Sequence, residues 1–471
     1  MNRLRRFSAP DPRTLVALAL ALLASCGTDA SVAAADEVRL TDEQVDELVR
    51  LSYPYVAMFN VNNKFALKQG GWNTVEADTQ LKDHTMREIA RPNNDTLYVA
   101  CMLDLRAEPM VLDLPAFDSE YVSLMITAYD HYVNIPMSTG QGDFADPARV
   151  LVHSARTEGY DGEAVEGVDR TLEATGDFVS AVLRVMPHAN EPERFERIVA
   201  QMQSVRALPL SAFLGGAAPP AEDPGAPSVG KSDFDVYENN LAEVMQYVFN
   251  HTTFDSQDPI DQAVLAAWAP LGVAPGKEWS AGSVAQLDGE RLRAVAEALA
   301  RRDLGRADDP QWKLVAMTGM FLPKGQMTQE LLVFQSIIGP IGMPASEAVY
   351  PAIPTADGRP MNAMHDYVVR MAADELPPAG AFWSFTLYDL ENGFFIPNER
   401  KKYSVGKNGG MQLDEDGGIE VHVAAERPEG VPEENWLPIE RRDEDLGLIL
   451  RLYVPDLEAL ETWKEPVAER R

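Results

Sequence analysis

Two series of short β-type segments, separated by a helical stretch, constrain the fold of this chain more than any other feature. From about Thr96, short runs rich in β-branched and aromatic residues alternate with turn residues, a pattern typical of strands. The first series consists of TLYVACMLDL, EPMVLDLP, EYVSLMITAYD, HYVNIPM, RVLVHSA and DFVSAVLRVMP. The second consists of AFWSFTLYDLENGFFIPN, KKYSVG, GGIEVHVA and LGLILRLYVP. Each series predicts an antiparallel β domain of the sandwich or jelly-roll type.

Helical patterns precede and separate these two series. The segment TDEQVDELVRL predicts an N-terminal helix, with Thr41 as its cap and Gln44 at the capping-box position. Between residues 191 and 325, several segments carry apolar residues at i, i+3 and i+4 spacing, and the Pro-, Gly- and Ala-rich stretch near 214–232 predicts a mobile surface loop. The predicted fold class is therefore α+β: two antiparallel β-sandwich or jelly-roll-like domains flanking a helical middle segment, with an N-terminal helix. The predicted boundaries are 41–190, 191–325 and 326–471.

Residues 1–25 have the features of a bacterial lipoprotein signal peptide. Arginines precede the apolar run TLVALALALLA, which is too short to cross a bilayer as a permanent helix. Leu23 to Cys26 fits the lipobox, so Cys26 is the predicted lipidation site, and residues 26–40 form a tether. The alternative is an ordinary cleavage site with a chance cysteine. With Cys26 acylated, Cys101 is left as a free thiol, and no intramolecular disulfide can form.

The strong negative charge narrows the range of partners. The formal net charge of −32 excludes nucleic-acid binding and adhesion to anionic lipid surfaces, because both partners repel an acidic protein. Membrane attachment is expected through the lipid anchor only. Gly27 after the lipidated cysteine resembles lipoproteins sent to the outer membrane, so the expected location is that membrane, facing the periplasm. The export route and a homo-oligomeric state are left open.

Local motifs for cofactor or metal chemistry are missing. Residues 225–232 match the phosphate-loop pattern, but the preceding GGAAPPAEDP cannot form the buried strand that such a loop requires, and Pro227 removes an N–H donor. No metal-ligand spacing and no G-x-S-x-G nucleophile elbow is present. We therefore expect no cofactor and no metal, although a catalytic triad assembled from distant residues stays open.

A polar cluster at the start of the first strand series has two interpretations. Asn93, Asn94 and Asp95 can each bond the backbone two residues on, which an Asx turn before the strand would need. Three such residues in a row exceed the needs of one turn, and strand ends are where sheets display functional groups. His131, beside Asp130 at another predicted strand end, is a candidate partner for Asp95, with a structural histidine as the alternative.

The same segments resemble a known bacterial family of exported proteins. RPNNDTLYVACMLDLRAEPMVLDLP is similar to the signature of the domain of unknown function numbered 1254, and FWSFTLYDLENGFFIPNERKKYSVG, GGIEVHV, NWLPI and LRLYVP are similar to its usual partner, the domain numbered 1214. The resemblance implies paired β-rich domains and no established activity. One departure is that Lys402 precedes Tyr403 where the family usually has arginine, and lysine cannot reproduce bidentate recognition of a carboxylate.

Three hypotheses for the function follow. The first is an envelope lipoprotein that binds a small or apolar molecule between its two β domains. Its candidate ligand-binding residues are Asn94, Asp95, Tyr98, Trp383, Tyr388, Lys402, Tyr403 and Trp436. The second is an envelope hydrolase that uses Asp95 as its acid or base, with His131 as the partner. The third is a structural envelope lipoprotein without a ligand.

Overall fold

The computed structural model describes residues 40–87, 90–282, 285–306 and 309–471. The predicted signal peptide and Cys26 lie outside these residues. The helices are α1 (Asp42–Lys68), α2 (Pro192–Ser204), α3 (Leu210–Phe213), α4 (Asp233–Asn239), α5 (Leu241–Asn250), α6 (Pro259–Trp268), α7 (Gly289–Arg306), α8 (Pro310–Gly319), α9 (Gln329–Ile338) and α10 (Leu457–Leu460). Within the described residues, no helix is both long enough and apolar enough to cross a membrane.

The strands fall into two groups that flank the helical segment. The first group is β1 (Thr74–Asp78), β2 (Leu97–Asp104), β3 (Met110–Leu114), β4 (Val122–Thr127), β5 (Val133–Ser138), β6 (Ala148–Ser154), β7 (Arg170–Ala174), β8 (Phe178–Val185) and β9 (Arg206–Pro209). The second group is β10 (Ala348–Val349), β11 (Met361–Asn362), β12 (Tyr367–Met371), β13 (Ala379–Asp389), β14 (Ser404–Gly406), β15 (Ile419–Ala424), β16 (Trp436–Pro438), β17 (Asp445–Pro455) and β18 (Ala468–Arg470). The predicted α+β class is confirmed.

Helix α1 begins where the sequence predicts. The Thr41 side chain accepts a hydrogen bond from the Gln44 amide, and the Gln44 side chain accepts one from the Thr41 amide, which completes the capping box. The helix continues through Pro54 to Lys68, and its buried side packs against α5, α6, α7 and α9. Helix α1 therefore connects these four helices by packing against each of them.

The first β domain is a pair of sheets packed around one apolar core. One sheet has the order β1-β2-β8-β4-β5 and the other β7-β6-β3-β9, with all neighbours antiparallel except β6 and β7. Alternate residues of β2 and β8, such as Val99 and Leu183, point into the core between the sheets. Strand β9 follows α2 yet pairs with β3, so residues 206–209 belong to this domain although the predicted helical insert begins at 191.

The second β domain repeats this arrangement. Its sheets have the orders β10-β17-β13-β14, with β11 also paired to β17, and β16-β15-β12-β18. Trp383, Phe385 and Leu450 point into the core between them. The last helix before this domain ends at Ile338, past the predicted boundary at 325. The opposite face of β13 and β17 is turned toward the first domain, and this contact positions the candidate site.

Candidate functional site

The outer face of one sheet in each domain contributes to a shared polar layer. In the first domain, register places Tyr98, Arg184 and Ser123 side by side across β2, β8 and β4. In the second domain, Ser384 of β13 lies opposite Arg451 of β17. We call the side chains between these two outer faces the interdomain layer. Because strand residues alternate between faces, each of these polar residues has an apolar core residue as its chain neighbour.

Residues 91–95 join the two domains through their own backbone. The Arg91 amide donates to the Gly393 carbonyl at 2.7 Å, and the Pro92 carbonyl accepts from the Tyr388 hydroxyl at 2.6 Å. The Arg451 Nη2 donates to the Arg91 carbonyl at 3.1 Å and to the Tyr388 hydroxyl at 2.5 Å. This segment is therefore fixed by the C-terminal domain as well as by its own strand.

The polar cluster that precedes β2 is both a turn and a domain contact. The Asp95 amide donates to the Asn93 Oδ1 at 2.7 Å, which forms the predicted Asx turn. The Asn93 Nδ2 also donates to the Tyr453 hydroxyl at 3.0 Å. Asp95 accepts a hydrogen bond of 2.6 Å from the Ser384 hydroxyl. The turn thus accounts for Asn93, while the Asp95 carboxylate is directed into the interdomain layer.

Asp95 is fully buried and only partly satisfied. Its Oδ1 has no hydrogen-bond partner within the described part of the chain. Burial raises the pKa of Asp95, and the Arg451 charge and the Ser384 hydrogen bond act in the opposite direction. All seven histidines lie among the described residues, and none is hydrogen-bonded to Asp95 or Ser384. A nucleophile–histidine–carboxylate arrangement is therefore absent around Asp95.

Two buried arginines dominate the charge of the layer. Arg184 and Arg451 are each only 5% exposed, and neither forms an ion pair with a described carboxylate. Arg184 lies over the Tyr98 ring at 5.4 Å, and Arg451 lies over the Tyr350 ring at 5.6 Å. The Nε atoms of both arginines are buried without a hydrogen-bond partner. Such atoms are costly to bury unless water or a ligand satisfies them.

Tyr350 lies beside these arginines. Its side chain is 40% exposed, yet burial is the main reason that the pKa of its hydroxyl is raised. Arg184 and Arg451 each lower the pKa of Tyr350 in part, whereas Tyr98 and Asp95 raise it. These groups from both domains therefore converge around one hydroxyl.

An apolar cluster adjoins the polar layer on the same sheet faces. Phe382 stacks on Tyr453 with ring centroids 4.1 Å apart, and Tyr121 packs against Tyr453 at 5.0 Å. Val182, two residues before Arg184 on β8, is only partly buried in this cluster. The arrangement offers charged and hydroxyl groups at one end and aromatic and aliphatic walls at the other, which suits an amphipathic small molecule.

The structure brings some of the predicted site residues together and separates others. Asp95, Tyr98 and Tyr388 belong to the interdomain layer, and the neighbouring Asn94 has a buried Oδ1 without a partner among described atoms. Tyr403 is one step removed: Tyr388, Phe395 and Tyr403 stack in series, with centroids 5.4 and 4.7 Å apart. At its outer end, the Tyr403 hydroxyl bonds His84 at 2.8 Å.

Three of the predicted ligand-binding residues have other surroundings. Trp383 points into the core of the second domain, because it has the opposite strand parity to Ser384. The Lys402 ammonium donates to the Glu433 carbonyl, and burial lowers the pKa of this lysine to about 8. Trp436 lies in β16 under Arg400 and donates to the Ala424 carbonyl. None of these three contacts Asp95.

His131 is held as a neutral histidine in a different part of the first domain. Its ring nitrogens bond the Ser336 hydroxyl at 2.7 Å and the Pro340 carbonyl at 2.8 Å. Burial lowers its pKa to about 4, so the ring is uncharged at neutral pH. His131 therefore connects β5 to the end of α9 and has no contact with Asp95.

Two recesses in the described structure lie elsewhere. One of about 180 Å³ is lined by residues of α4, α5 and α7, and another of about 430 Å³ is lined by residues 255–260 and 325–329. No described group of three His, Cys, Asp or Glu side chains could hold a metal ion. We place the candidate site in the interdomain layer because it combines buried polar atoms without partners from both domains with two buried arginines that form no ion pair.

Family models match both β domains. Residues 72–209 match a protein of unknown function designated DUF1254, and residues 347–457 match a protein of unknown function designated DUF1214. The chain belongs to the family that pairs these two domains. The interdomain layer is therefore the contact between a DUF1254 domain and a DUF1214 domain. Asp95 and Arg184 lie in the first matched range, and Tyr350 and Arg451 lie in the second.

Two solved structures are similar to this DUF1254–DUF1214 chain. The VPA0106 protein from Vibrio parahaemolyticus is 23% identical, with a TM-score of 0.68, and the match covers 91% of this chain and 100% of that chain. A putative uncharacterized protein from Burkholderia cenocepacia is 11% identical, with a TM-score of 0.41 and coverage of 91% and 93%. The first match supports the fold alone. No curated protein matches the chain.

Proposed function

We propose that this protein binds a small, partly apolar molecule in the space between its DUF1254 and DUF1214 domains. One observation carries the proposal: buried polar atoms without partners accumulate between the domains. They are Asn94 Oδ1, Asp95 Oδ1, Arg184 Nε, Thr386 Oγ1 and Arg451 Nε. Buried polar atoms in folded proteins nearly always have a partner, so a cluster of exceptions points to an occupant.

The proposal includes attachment to the bacterial envelope through a lipid. The lipobox at Leu23–Cys26 supports lipidation of Cys26, and export follows from the preceding basic and apolar segments. Incorporation of a labelled fatty acid in a bacterial host tests this part. Label is expected on the wild-type chain and not on the Cys26→Ala variant, and equal labelling of both would refute it. The binding proposal does not depend on the outcome.

Thermal stability tests the binding proposal directly. A compound that binds only the folded state raises the thermal midpoint, by an amount equivalent to about 2.7 kcal/mol at a concentration of 100 times its Kd. We expect at least one compound in a broad metabolite and lipid panel to raise the midpoint of the full-length protein. The same compound should lose its effect in Thr386→Val, which replaces a hydroxyl without a partner by an isosteric methyl group. If no compound in the panel raises the midpoint, the structural lipoprotein without a ligand is favoured instead.

A further inference from the structure

Arg184 stands apart from every other charged group of the interdomain layer. Among the described residues, it forms no ion pair and no hydrogen bond, although it is 5% exposed. Its guanidinium lies over the face of the Tyr98 ring, 5.4 Å from the ring centroid. Arg451, by comparison, donates to the Arg91 carbonyl and the Tyr388 hydroxyl. The Arg451 guanidinium thus donates to neutral acceptors, whereas the Arg184 guanidinium has no acceptor among the described residues.

The surrounding groups do not neutralise Arg184. The hydroxyls of Tyr121 and Tyr453 stay protonated at neutral pH because burial raises their pKa values well above 10. The carboxylate of Glu347 accepts a hydrogen bond of 3.3 Å from the Tyr121 hydroxyl and forms no ion pair with Arg184. An arginine cannot shed its charge by deprotonation at any physiological pH. An unpaired buried guanidinium therefore needs an anion or trapped water.

The geometry around Arg184 limits the kind of anion. Its guanidinium is a planar fork that matches a carboxylate. On the same face of β8, Val182 leads into the apolar cluster that contains Phe382 and Tyr453. An anion bound at Arg184 thus has this apolar cluster beside it, while the second cation of the layer, Arg451, already donates to the Arg91 carbonyl and the Tyr388 hydroxyl. This suits one charged end and an apolar body, and it does not suit a multiply charged, fully hydrated anion such as phosphate.

We propose that the interdomain site takes a small organic monocarboxylate, with its carboxylate on Arg184 and its apolar body against Val182 and the Phe382–Tyr453 pair. This inference rests on the proposed binding function and adds the chemical class of the ligand. Arg184 is the group that distinguishes the acid from its neutral analogue. Arg451 and Asp95 bound the same space but already have partners in the protein.

Matched pairs of acids and amides test the inference. The thermal midpoint of the full-length protein is measured with benzoate and benzamide, with hexanoate and hexanamide, and with phosphate, at constant ionic strength. We expect an acid to raise the midpoint while its amide and phosphate do not. The Arg184→Met variant is expected to bind that acid about 10- to 100-fold more weakly, because a hydrogen bond to a charged group is lost. Arg184→Lys should bind with intermediate affinity.

A second arginine serves as the control. Arg197 on α2 is an exposed arginine that pairs with Asp118, and Arg197→Met removes the same charge without touching the layer. Its acid-dependent shift should equal that of wild type. Arg184→Met should keep a thermal midpoint at least as high as that of the free wild-type protein, so a loss of binding is not a loss of fold.

The outcomes separate the two proposals. If the amides shift the midpoint as much as the acids, and Arg184→Met behaves like wild type, the binding site stands but the carboxylate assignment is overturned. If neither acids nor amides shift the midpoint and the broad panel also fails, both proposals are overturned. An acid effect that is lost equally in Arg197→Met would reflect net charge and would also overturn the assignment.

Discussion

Two clusters of buried charged side chains in this protein differ in whether each charge has a counter-ion within the protein. In the helical segment, Lys324 bonds Asp261 at 2.6 Å and lies 3.6 Å from Asp130, and both carboxylates are fully buried. In the interdomain layer, Arg184 has no such partner. The first cluster contains both a cation and its counter-ions, so we interpret it as structural. The second lacks one, and for that reason we assign the ligand to it.

The two clusters also differ in whether the charged group without a full set of partners can lose its charge. Two carboxylates beside one lysine leave one negative charge too many, but a carboxyl group can take up a proton. Burial raises the pKa of Asp130 to about 6, so protonation is within easy reach. A guanidinium has no such route, because its pKa lies above 12. A buried guanidinium without a counter-ion therefore keeps its charge whether or not an anion is bound.

Removal of Lys324 is expected to have the largest effect. In Lys324→Met, Asp130 and Asp261 lose their shared cation, so the free energy of unfolding should fall by about 3–5 kcal/mol at pH 8. The loss should be smaller at pH 5, where protonation relieves the repulsion. Urea unfolding at the two pH values measures this.

The control for this change is Lys407→Met. Lys407 pairs with Glu120 at a half-exposed position, and loss of such a pair costs about 0–1 kcal/mol. An equal loss in the two variants, or a Lys324→Met loss that does not depend on pH, would show that Lys324 does not neutralise the carboxylates.

The Asp130 carboxyl itself predicts a pH dependence of stability. Its folded pKa of about 6 exceeds the unfolded value of 3.8, so the folded state binds more protons between these values. Stability therefore rises as pH falls from about 6 to about 4, by roughly 2–3 kcal/mol at 1.36 kcal/mol per pKa unit. Asp130→Asn should remove this contribution, so the rise between these pH values should be smaller in the variant than in wild type by about this amount. An equal pH dependence in variant and wild type would assign the slope to other groups, such as Asp95 or Asp261, whose pKa values burial also raises.

Asp95→Asn removes a negative charge from the interdomain layer, whereas Lys324→Met removes a positive charge from the other cluster. The amide can still accept the Ser384 hydrogen bond, but the negative charge near Arg451 is lost. Because burial outweighs Arg451 and Ser384 and raises the pKa of Asp95, the folded state disfavours the charged carboxylate, so the neutral amide should lower the unfolding free energy at neutral pH by less than about 1 kcal/mol, or raise it. The affinity for an organic acid should rise, since the layer becomes more positive. Weaker acid binding in this variant would contradict the carboxylate assignment.

Much of the fold was predictable because its signals are local. The capping box at Thr41 and the strand periodicity both arise from neighbouring residues, and both series of strands form β domains. The Asx turn at Asn93 is likewise a short-range feature. Boundaries were harder to predict: β9 returns to β3 after α2, and no local pattern announces a strand pairing of that range.

The decisive residues of the site were missed for a physical reason. Arg184 and Arg451 occur in DFVSAVLRVMP and LGLILRLYVP, where a lone charge in an alternating strand reads as a solvent-facing position. Those faces are indeed the outer ones of their sheets, but each is covered by the other domain. The usable signal was the repetition of the same pattern in both series: one arginine amid apolar residues.

Strand parity also explains the outcome for the predicted aromatic residues. On β13, Phe382, Ser384 and Tyr388 share the face toward the first domain, and Trp383 lies on the other face. Sequence alternation separates these two sets but does not reveal which set meets the neighbouring domain. That choice depends on how two sheets dock, which is a property of the whole chain.

The smallest effect is expected at Lys402, where the chain departs from its family pattern. The Lys402 ammonium reaches the Glu433 carbonyl and has no contact with the interdomain layer. Lys402→Arg restores the usual residue and should change the thermal midpoint by less than about 1 °C, because the position is at the edge of the domain. Its acid-dependent shift should match that of wild type. If Lys402→Arg binds an acid more tightly than wild type, the ligand carboxylate is bound at residue 402 rather than at Arg184. The absence of a counter-ion at Arg184 would then not identify the ligand-binding site.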